Sequence, residues 1–437
     1  MTTPQVLLTS TAFSARTAEA EARSVGIDPP ELCAYETRTG IVRRWLPLAD
    51  WPDWERGLNL AGSWQASVPL DSRYISKEEL TAFSTPYYFS WAVVQGNKIW
   101  QAGPVTGEDY AGGGATRTTI SGVGMLGFLT TKRLMLNPAR AARRGAAAID
   151  ADIVFSPNPT SPIQSPVPAA NQNLALPSIA ARIVEIVLAE PGGDLPIDIA
   201  STTIPGTAER TYPGYDLGYV GERLTELTQA ENGPEIEFDP YFTTPDRTLV
   251  RHRMLVGNRR LGALATTSAV RWDSDKALVD LAFSKDGTAQ LHRAYQRGSG
   301  MDRNTLIGFA ENLAGVTSGP NQAMPLLEDV NSSHTQVELL STLDGYARAD
   351  VATDAAPALT LRPTVRIAGD DGKGRNTRSP NLAQVSSGDV AVLEVLDHPR
   401  LADGSYTVRV IRFKSARSAV EAAMDVQVLD FTARGTQ

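Results

Sequence analysis

Cysteine is nearly missing from this chain: 437 residues hold one, Cys33. A single thiol makes no internal disulfide and builds no Cys-rich zinc site. Within the strand-like run "ELCAYE" it reads as a small buried apolar residue rather than a reactive thiol. Histidine is almost as scarce. The four, His252, His292, His334 and His398, stand more than five residues apart with no HExxH, so each reads as a strand or surface residue rather than a ligand. Long apolar runs are missing too, and nothing approaches the ~18–20 residues of a membrane span. The start, "MTTPQVLLTSTAFSAR", has no basic beginning and is not a secretory signal, which predicts folding in a cytoplasm. Positive charge is in deficit, with 41 Lys+Arg against 49 Asp+Glu and a net charge of −8. A broad nucleic-acid footprint needs clustered positive charge, and the totals argue against one.

Catalytic patterns are also lacking. Gly369, Gly372, Lys373 and Gly374 suggest a phosphate loop, but GxxxxGK[ST] would need Gly where Ile367 stands and Ser or Thr where Gly374 stands. Gly122, Gly124 and Gly127 match GxGxxG without a framing strand and acidic ribose ligand. Asp273 and Asp275 make a DxD pair without the rest of a calcium frame, and read as a solvated turn. Arg140, Arg143 and Arg144 form a basic cluster with no interleaved aromatics, which reads as a solvated helix face. No GxSxG elbow occurs. Paired carboxylates for glycoside hydrolysis meet only in the fold, so the sequence does not choose among its acids. The expectation is no catalytic, cofactor-binding or metal residues, no cofactor, and no enzyme activity.

What is present is strand pattern. Composition is ordinary for a soluble globular protein, at 42% hydrophobic and 21% charged. The length suggests roughly two to four domains. "ELCAYETRTGIVRRWLPL" predicts two strands around Thr37–Gly40. In "RGLNLAGSWQASVPLD", Leu58, Leu60, Trp64, Ala66, Val68 and Leu70 alternate with polar residues, predicting one strand with Trp64, Val68 and Leu70 on its buried face. "YYFSWAVVQGNKIWQAGPV" predicts a hairpin with Gln95–Gly96–Asn97 at its tip. Residues 121–150 read as helix broken at Pro138, and the Pro-rich run 156–178 as an extended connection. Further helices are expected at about 178–190, after Asp216 as N-cap, and after Ser332 or Ser333. A hairpin is expected around Thr244–Asp246, and three strands close the chain. The predicted fold class is a β-rich α+β multidomain protein: two antiparallel β-barrel or sandwich units plus helical and loop-rich connecting domains. The expected divisions are an arm over 1–30, a β domain over 31–120, a helical and loop-rich domain over 121–235, a hairpin-plus-helix domain over 236–350 and a second β domain over 351–437, with interleaving allowed.

"CAYETRTGIVRRWLPLADWPDWERGLNLAGSWQASVPLD" resembles the N-terminal segment of minor tail proteins from phages of actinobacteria. Asn59, Ala61, Gly62, Ser63, Trp64, Pro69 and Leu70 stand where that pattern "LN.AGSW.A.VPL" has them. "YVGERLTELTQAENGPEIEFDPYF" and the C-terminal "GSYTVRVIRFKSA…MDVQVLDF" look like later blocks of the same family. The resemblance covers about residues 30–437, and its motifs are structural. It implies a tail hub, or baseplate hub, of long-tailed phages. Such hubs are rings of three copies, each with two domains similar to the tail-tube barrel, so that six barrels meet a sixfold tube. It further implies a place at the virion's tail tip after assembly in the host cytoplasm. The implied partners are further copies of itself, a distal tail or tail tube protein, a tape measure protein and other tail-tip proteins, with DNA only in passage. A polar, net-acidic channel would suit DNA, because like charge keeps phosphate off the wall. The alternatives are a receptor- or carbohydrate-binding tail module and, behind it, a tail-associated cell-wall hydrolase.

Overall fold

The computed structural model describes residues 29–71, 73–140, 151–161, 166–199, 203–230, 233–258, 270–273, 278–313, 316, 324–366, 385–416 and 421–433. The N-terminal arm up to residue 28, Arg143, Arg144, Asp275 and the glycine-lysine loop at 369–374 lie outside them. The chain divides into two compact units. One takes the described parts of Met1–Thr225, Pro234–Leu281 and Arg362–Gln437, the other those of Glu226–Gly233 and Ala282–Leu361.

Alternating and β-branched sequence makes the first unit a sheet protein. Its early strands are β1 (Pro30–Glu36), β2 (Val42–Leu46), β3 (Asp53–Gly57), β4 (Ser63–Pro69), β5 (Phe89–Gln95), β6 (Lys98–Asp109) and β7 (Arg117–Val123). Short strands follow: β8 (Ile153–Phe155), β9 (Ile197–Ile199) and β10 (Arg210–Tyr212). Then come β11 (Pro234–Phe242), β12 (Val250–Asn258) and β13 (Val270–Asp273). The chain leaves for the second unit along β14 (Leu278–Asp286), adds β15 (Arg293–Arg297), β16 (Ile307–Glu311) and β17 (Glu328–Asn331) there, and returns along β18 (Ala358–Arg366). It closes with β19 (Val390–Val395), β20 (Gly404–Ser415) and β21 (Glu421–Ala433).

The hairpins at Thr37–Gly40, at the Gln95–Asn97 tip and at Thr244–Asp246 form as the sequence predicts, as do the three closing strands. The main sheet runs β21-β20-β3-β4-β7-β6-β5-β1-β2, with β19 beside β20 and β13 beside β19. The fold is therefore β-rich and multidomain, and its N- and C-terminal β halves are joined. The junction is β20 against β3, where Arg412, Phe413 and Lys414 face Gly57, Arg56 and Glu55. A separate antiparallel pair, β11–β12, takes β9 in parallel on its β12 side.

The expected single strand at 58–70 is instead a turn followed by β4. Asn59 and Gly62 adopt left-handed φ of 54° and 67°, so the apolar alternation over 58–62 is not strand alternation. A Cβ on Gly62 would stand 2.2 Å from Gln101 Nε2, whose amide donates to Glu55 O at 2.7 Å. Trp64 is 2% exposed and Val68 is buried, as expected, but Leu70 follows the last residue of β4 and is 43% exposed. Trp64 stacks on Trp91 with ring centroids 5.7 Å apart, and Trp54 on Trp100 at 4.8 Å. The Trp64 ring lies over Gly122, its register partner on β7; a Cβ there would meet the ring at 2.2 Å.

Helices fall near, but not always on, the predicted spans. α1 (Lys77–Phe83) has a Ser76–Glu79 capping box. α2 (Met125–Lys132) starts later than the helix expected over 121–150, because Ser121–Val123 stay paired with β4, and residues 141–150 of that expectation lie outside the described residues. α3 (Leu176–Leu188) buries Ile179, Ile183, Ile186 and Val187 as expected and packs on β12 and β11. α4 (Val220–Gln229) does not start from Asp216 as cap. Leu217 turns left-handed at φ 47°, and Asp216 accepts from Arg223 Nη2 at 3.2 Å instead. α5 (Leu340–Asp354) begins at Leu340 rather than after Ser332 or Ser333, since Val337 N closes a turn onto His334 O at 2.9 Å.

The second unit is a three-stranded sheet, β16-β15-β17, with α5 on one face. An apolar cluster of Leu291, Ala294, Ala347 and Val351 lies between them, and Leu343 and Tyr346 of α5 are buried as well. Close packing is secured by Gly308, where a Cβ would lie 2.5 Å from Leu343.

Replacing Trp64 with Ala removes a stacked, fully packed ring. Trp64→Ala should cost about 3–5 kcal/mol, read as a drop in the denaturant midpoint of the whole chain at unchanged slope. A midpoint equal to wild type would show the ring contributes no packing.

Candidate functional site

Strand alternation gives the β20-β3-β4-β7 part of the sheet one apolar and one polar face. On the polar face the register sets Lys414 beside Glu55 beside Ser63, and Asp53 beside Gln65 beside Ser121. Ser67 and Thr119 hydroxyls meet at 3.2 Å further along. Ser415 Oγ donates to Asp53 at 3.1 Å and accepts from Trp54 N at 3.2 Å. Asp53, Glu55, Ser63, Gln65, Ser121, Lys414 and Ser415 line a shallow groove of about 490 Å³. Its charges cancel. Arg412 is paired with Asp425 and reaches Glu55 at 3.5 Å, Lys414 stands 3.9 Å from Asp425, and Arg362 stands 3.6 Å from it. Partly exposed pairs of this kind add little stability but do hold side chains in place. The face is hydroxyl- and amide-rich, ordered, and free of the acidic excess the whole chain carries.

Beneath it lies a buried ionic cluster. Arg56, on β3, points away from the polar face and is 5% exposed. Its Nη2 donates to Glu237 Oε1 at 2.5 Å and to Asp239 Oδ1 at 2.7 Å. Lys98 Nζ and Arg253 Nη1 approach Asp239 at 3.6 and 3.7 Å. Arg409, on β20, makes a two-pronged pair with Glu235. Burial alone would lower the pKa of the Arg56 guanidinium, but Glu237 and Asp239 outweigh it and hold the pKa above the ordinary value. Asn59 completes the joint: its N–H donates to Ile236 O and its side chain accepts from Ile236 N, both at 2.8 Å. Asn59 thus uses its left-handed backbone to seat the β11–β12 hairpin.

His252, on β12, is buried with Nε2 3.1 Å from the Tyr35 hydroxyl. Burial pushes its pKa down to about 4, with Arg251 and Arg56 adding to the effect and Asp239 and Asp198 opposing it. Cys33 is buried, and desolvation pushes its thiol up to about 12, which makes it inert at neutral pH.

The other sequence candidates stay apart. His292 Nδ1 accepts from Leu327 N, His334 stacks on Tyr346, and His398 Nδ1 accepts from Leu401 N. Among the described residues no group of three or more His, Cys, Asp or Glu side chains could hold a metal ion as placed. Arg140 is tied to Glu190 at 3.1 Å. The GxGxxG match is a packing device: a Cβ on Gly124 would meet Ala61 O at 2.4 Å, and one on Gly127 would meet Ala61 Cβ at 3.3 Å. Sequence reasoning missed the Arg56 cluster. Its only trace was the alternation of Glu235, Glu237 and Asp239 with Ile236 and Phe238, which reads as a half-exposed strand. No helix among the described residues is long and apolar enough to cross a membrane.

No protein-family model matches the chain, and no curated protein matches it in sequence. Solved structures do match its fold. The 43 kDa tail protein of prophage MuSo2 from Shewanella oneidensis aligns over 91% of this chain and 98% of its own, at 11% identity and a TM-score of 0.50. The tail protein of Neisseria meningitidis MC58 aligns over 92% and 96%, at 14% identity and a TM-score of 0.47. Prophage tail protein gp18 of Listeria monocytogenes EGD-e aligns over 91% and 94%, at 10% identity and a TM-score of 0.44. The first of these carries the comparison: this chain has the fold of a prophage tail protein along nearly its whole length.

Two outcomes follow. Arg56→Met leaves Glu237 and Asp239 buried without their main partner and should cost about 3–5 kcal/mol, whereas Arg412→Met on the polar face should cost under about 1 kcal/mol; paired denaturant titrations compare them. His252 is neutral in the fold down to about pH 4, while an unfolded imidazole gains its proton near 6.5. Its contribution is therefore complete above about pH 6.5 and is lost as pH falls toward 4, roughly 3 kcal/mol in all. The difference in unfolding free energy between pH 7 and pH 4.5 should be smaller for His252→Gln than for wild type; equal differences would remove His252 from the acid response.

Proposed function

We propose that this chain is a structural tail protein of a long-tailed phage, and that it works as the hub closing the tail tube. The carrying observation is the fold likeness to a prophage tail protein across nearly the full length of both chains. In this reading three copies form a ring at the distal end of the tube. The partners are then a distal tail or tail tube protein above, the tape measure protein within, and other tail-tip proteins below. DNA passes through the ring on ejection without being bound in place.

The physical support is the sheet. Its N- and C-terminal halves are suited to present two barrel-like modules per copy. Its polar face offers serine, threonine and glutamine with cancelled charges, the kind of surface that passes or abuts a neighbour without clinging to phosphate. The narrower link to minor tail proteins of actinobacterial phages rests on the "LN.AGSW.A.VPL" motif, in which Asn59, Gly62 and Trp64 have structural roles. A sugar-binding reading would use exposed aromatic faces; Trp54, Trp64, Trp91, Trp100 and Trp272 are buried and Trp45 and Trp51 half-buried, which leaves it the exposed tyrosines Tyr74, Tyr88, Tyr110 and Tyr215. The proposal keeps the division into a β domain over 31–120, connecting regions over 121–235 and 236–350, and a β domain over 351–437 as the sequence blocks from which the ring is assembled.

An image of the intact tail tip tests the proposal. Three copies of this chain around the central axis, with pseudo-sixfold β density against the tube, are expected. Five or six copies, or a position off the axis, would overturn the hub reading.

A further inference from the structure

The second unit has a sheet face that α5 does not cover. Along β15, Ala294 and Gln296 point toward α5, where Gln296 Nε2 donates to Asp350. Arg293, Tyr295 and Arg297 alternate with them and point the other way. Strand register carries that opposite face across the sheet in three rows. The first is Glu311, Arg293 and Glu328, the second is Phe309, Tyr295 and Val330, and the third sets Ile307 beside Arg297. Ile307, Phe309 and Val330 are exposed, Val330 at 62%. The Tyr295 and Phe309 rings are neighbours, with centroids 5.2 Å apart. An apolar row at the centre of an open face, rimmed by charge, is the anatomy of a protein contact.

The rim charges select the partner. In the first row Arg293 Nε donates to Glu311 at 2.8 Å and Nη1 donates to Glu328 at 3.4 Å. One cation between two carboxylates leaves that end negative. At the other end Arg297 is exposed and, among the described residues, makes no ion pair, which leaves it positive. The two carboxylates turn phosphate away, so the face does not fit nucleic acid. It does fit itself. A second copy, turned about an axis along the middle row, lays its own apolar row on Phe309, Tyr295 and Val330. The same turn brings the partner's Arg297 between Glu311 and Glu328, and twofold symmetry makes that contact twice. A turn about an axis along the strands would instead set the acidic end on the acidic end, which like charge disfavours.

We propose that this face is a self-association surface through which two copies of the chain pair about a twofold axis. Three strands of four or five residues cover only about 15 Å by 10 Å. That is well below the roughly 800 Å² per partner of a standard interface, so the pair is a weak one. The inference goes beyond the hub reading. A twofold pair closes on itself and is not a contact of a threefold ring. It belongs to chains outside a ring, where it shields the apolar row from water.

Sedimentation velocity of the full chain tests this, over loading concentrations from roughly ten micromolar to one millimolar. The wild-type coefficient should rise from the monomer value toward the dimer value. Val330→Lys, at the most exposed position of the row, should stay monomeric throughout with an unchanged Tm. Arg297→Glu should weaken pairing by about tenfold, since it sets like charges together. Adding Glu328→Arg on the same chain exchanges the two ends and should recover most of that loss. A wild-type chain monomeric at every concentration would leave the face to a different protein and overturn the proposal. A dimer indifferent to Val330→Lys and Arg297→Glu would place the contact elsewhere, and a double variant no better than Arg297→Glu would remove the twofold register. The copy number at the tail tip is a separate measurement, so the hub reading stands or falls apart from these results.

Discussion

Arg56 sits where three constraints meet. It belongs to β3, the strand against which the C-terminal half of the sheet docks through β20. Its side chain passes to the apolar side and ends in a guanidinium that has no access to water. A charge in that position is tolerable only with oppositely charged, hydrogen-bonded partners. Glu237 and Asp239, distant in sequence, supply them, so the β11–β12 hairpin has to lie across this point. Lys98 and Arg253 then balance the second carboxylate, and Arg409 binds the same hairpin through Glu235. Moving any one strand would strand a buried charge, and that makes the arrangement specific where apolar packing alone would tolerate slippage.

The same sheet separates two tasks by its pleat. The apolar side carries the stacked indoles Trp54–Trp100 and Trp64–Trp91 and the buried ions. The polar side carries hydroxyls, amides and compensated charges. The chain's net charge of −8 is not expressed there. That side is a near-neutral polar wall. The second unit is held differently, by the packing of α5 on its own three-stranded sheet.

Much of the fold was legible in the sequence because strands announce themselves by period. The hairpins at Thr37–Gly40, Gln95–Asn97 and Thr244–Asp246, the burial of Trp64 and Val68, the apolar face of α3 and the inert Cys33 all follow from local pattern and turn chemistry. Errors arose where local pattern served another purpose. The alternation at 58–62 is a turn with two left-handed residues, Leu70 lies past the strand end, and Ser121–Val123 stay in β7 because β4 pairs with them, although the residues suit a helix. Asp216 and Ser333 look like helix caps, yet Asp216 pairs with Arg223 and Val337 N closes a turn onto His334 O, so both helices start further along the chain.

By itself, then, the sequence determined the β-rich class, the absence of recognisable catalytic patterns, and the short-range turns, since each depends on neighbours within a few residues. Only the tertiary structure decided which charges are buried, that GxGxxG packs against Ala61 rather than cradling phosphate, that the two β halves share one sheet, and that Gln296 meets Asp350. Those outcomes depend on residues brought together from far apart in the chain. A burial penalty or an ion pair exists only once both partners have lost their water.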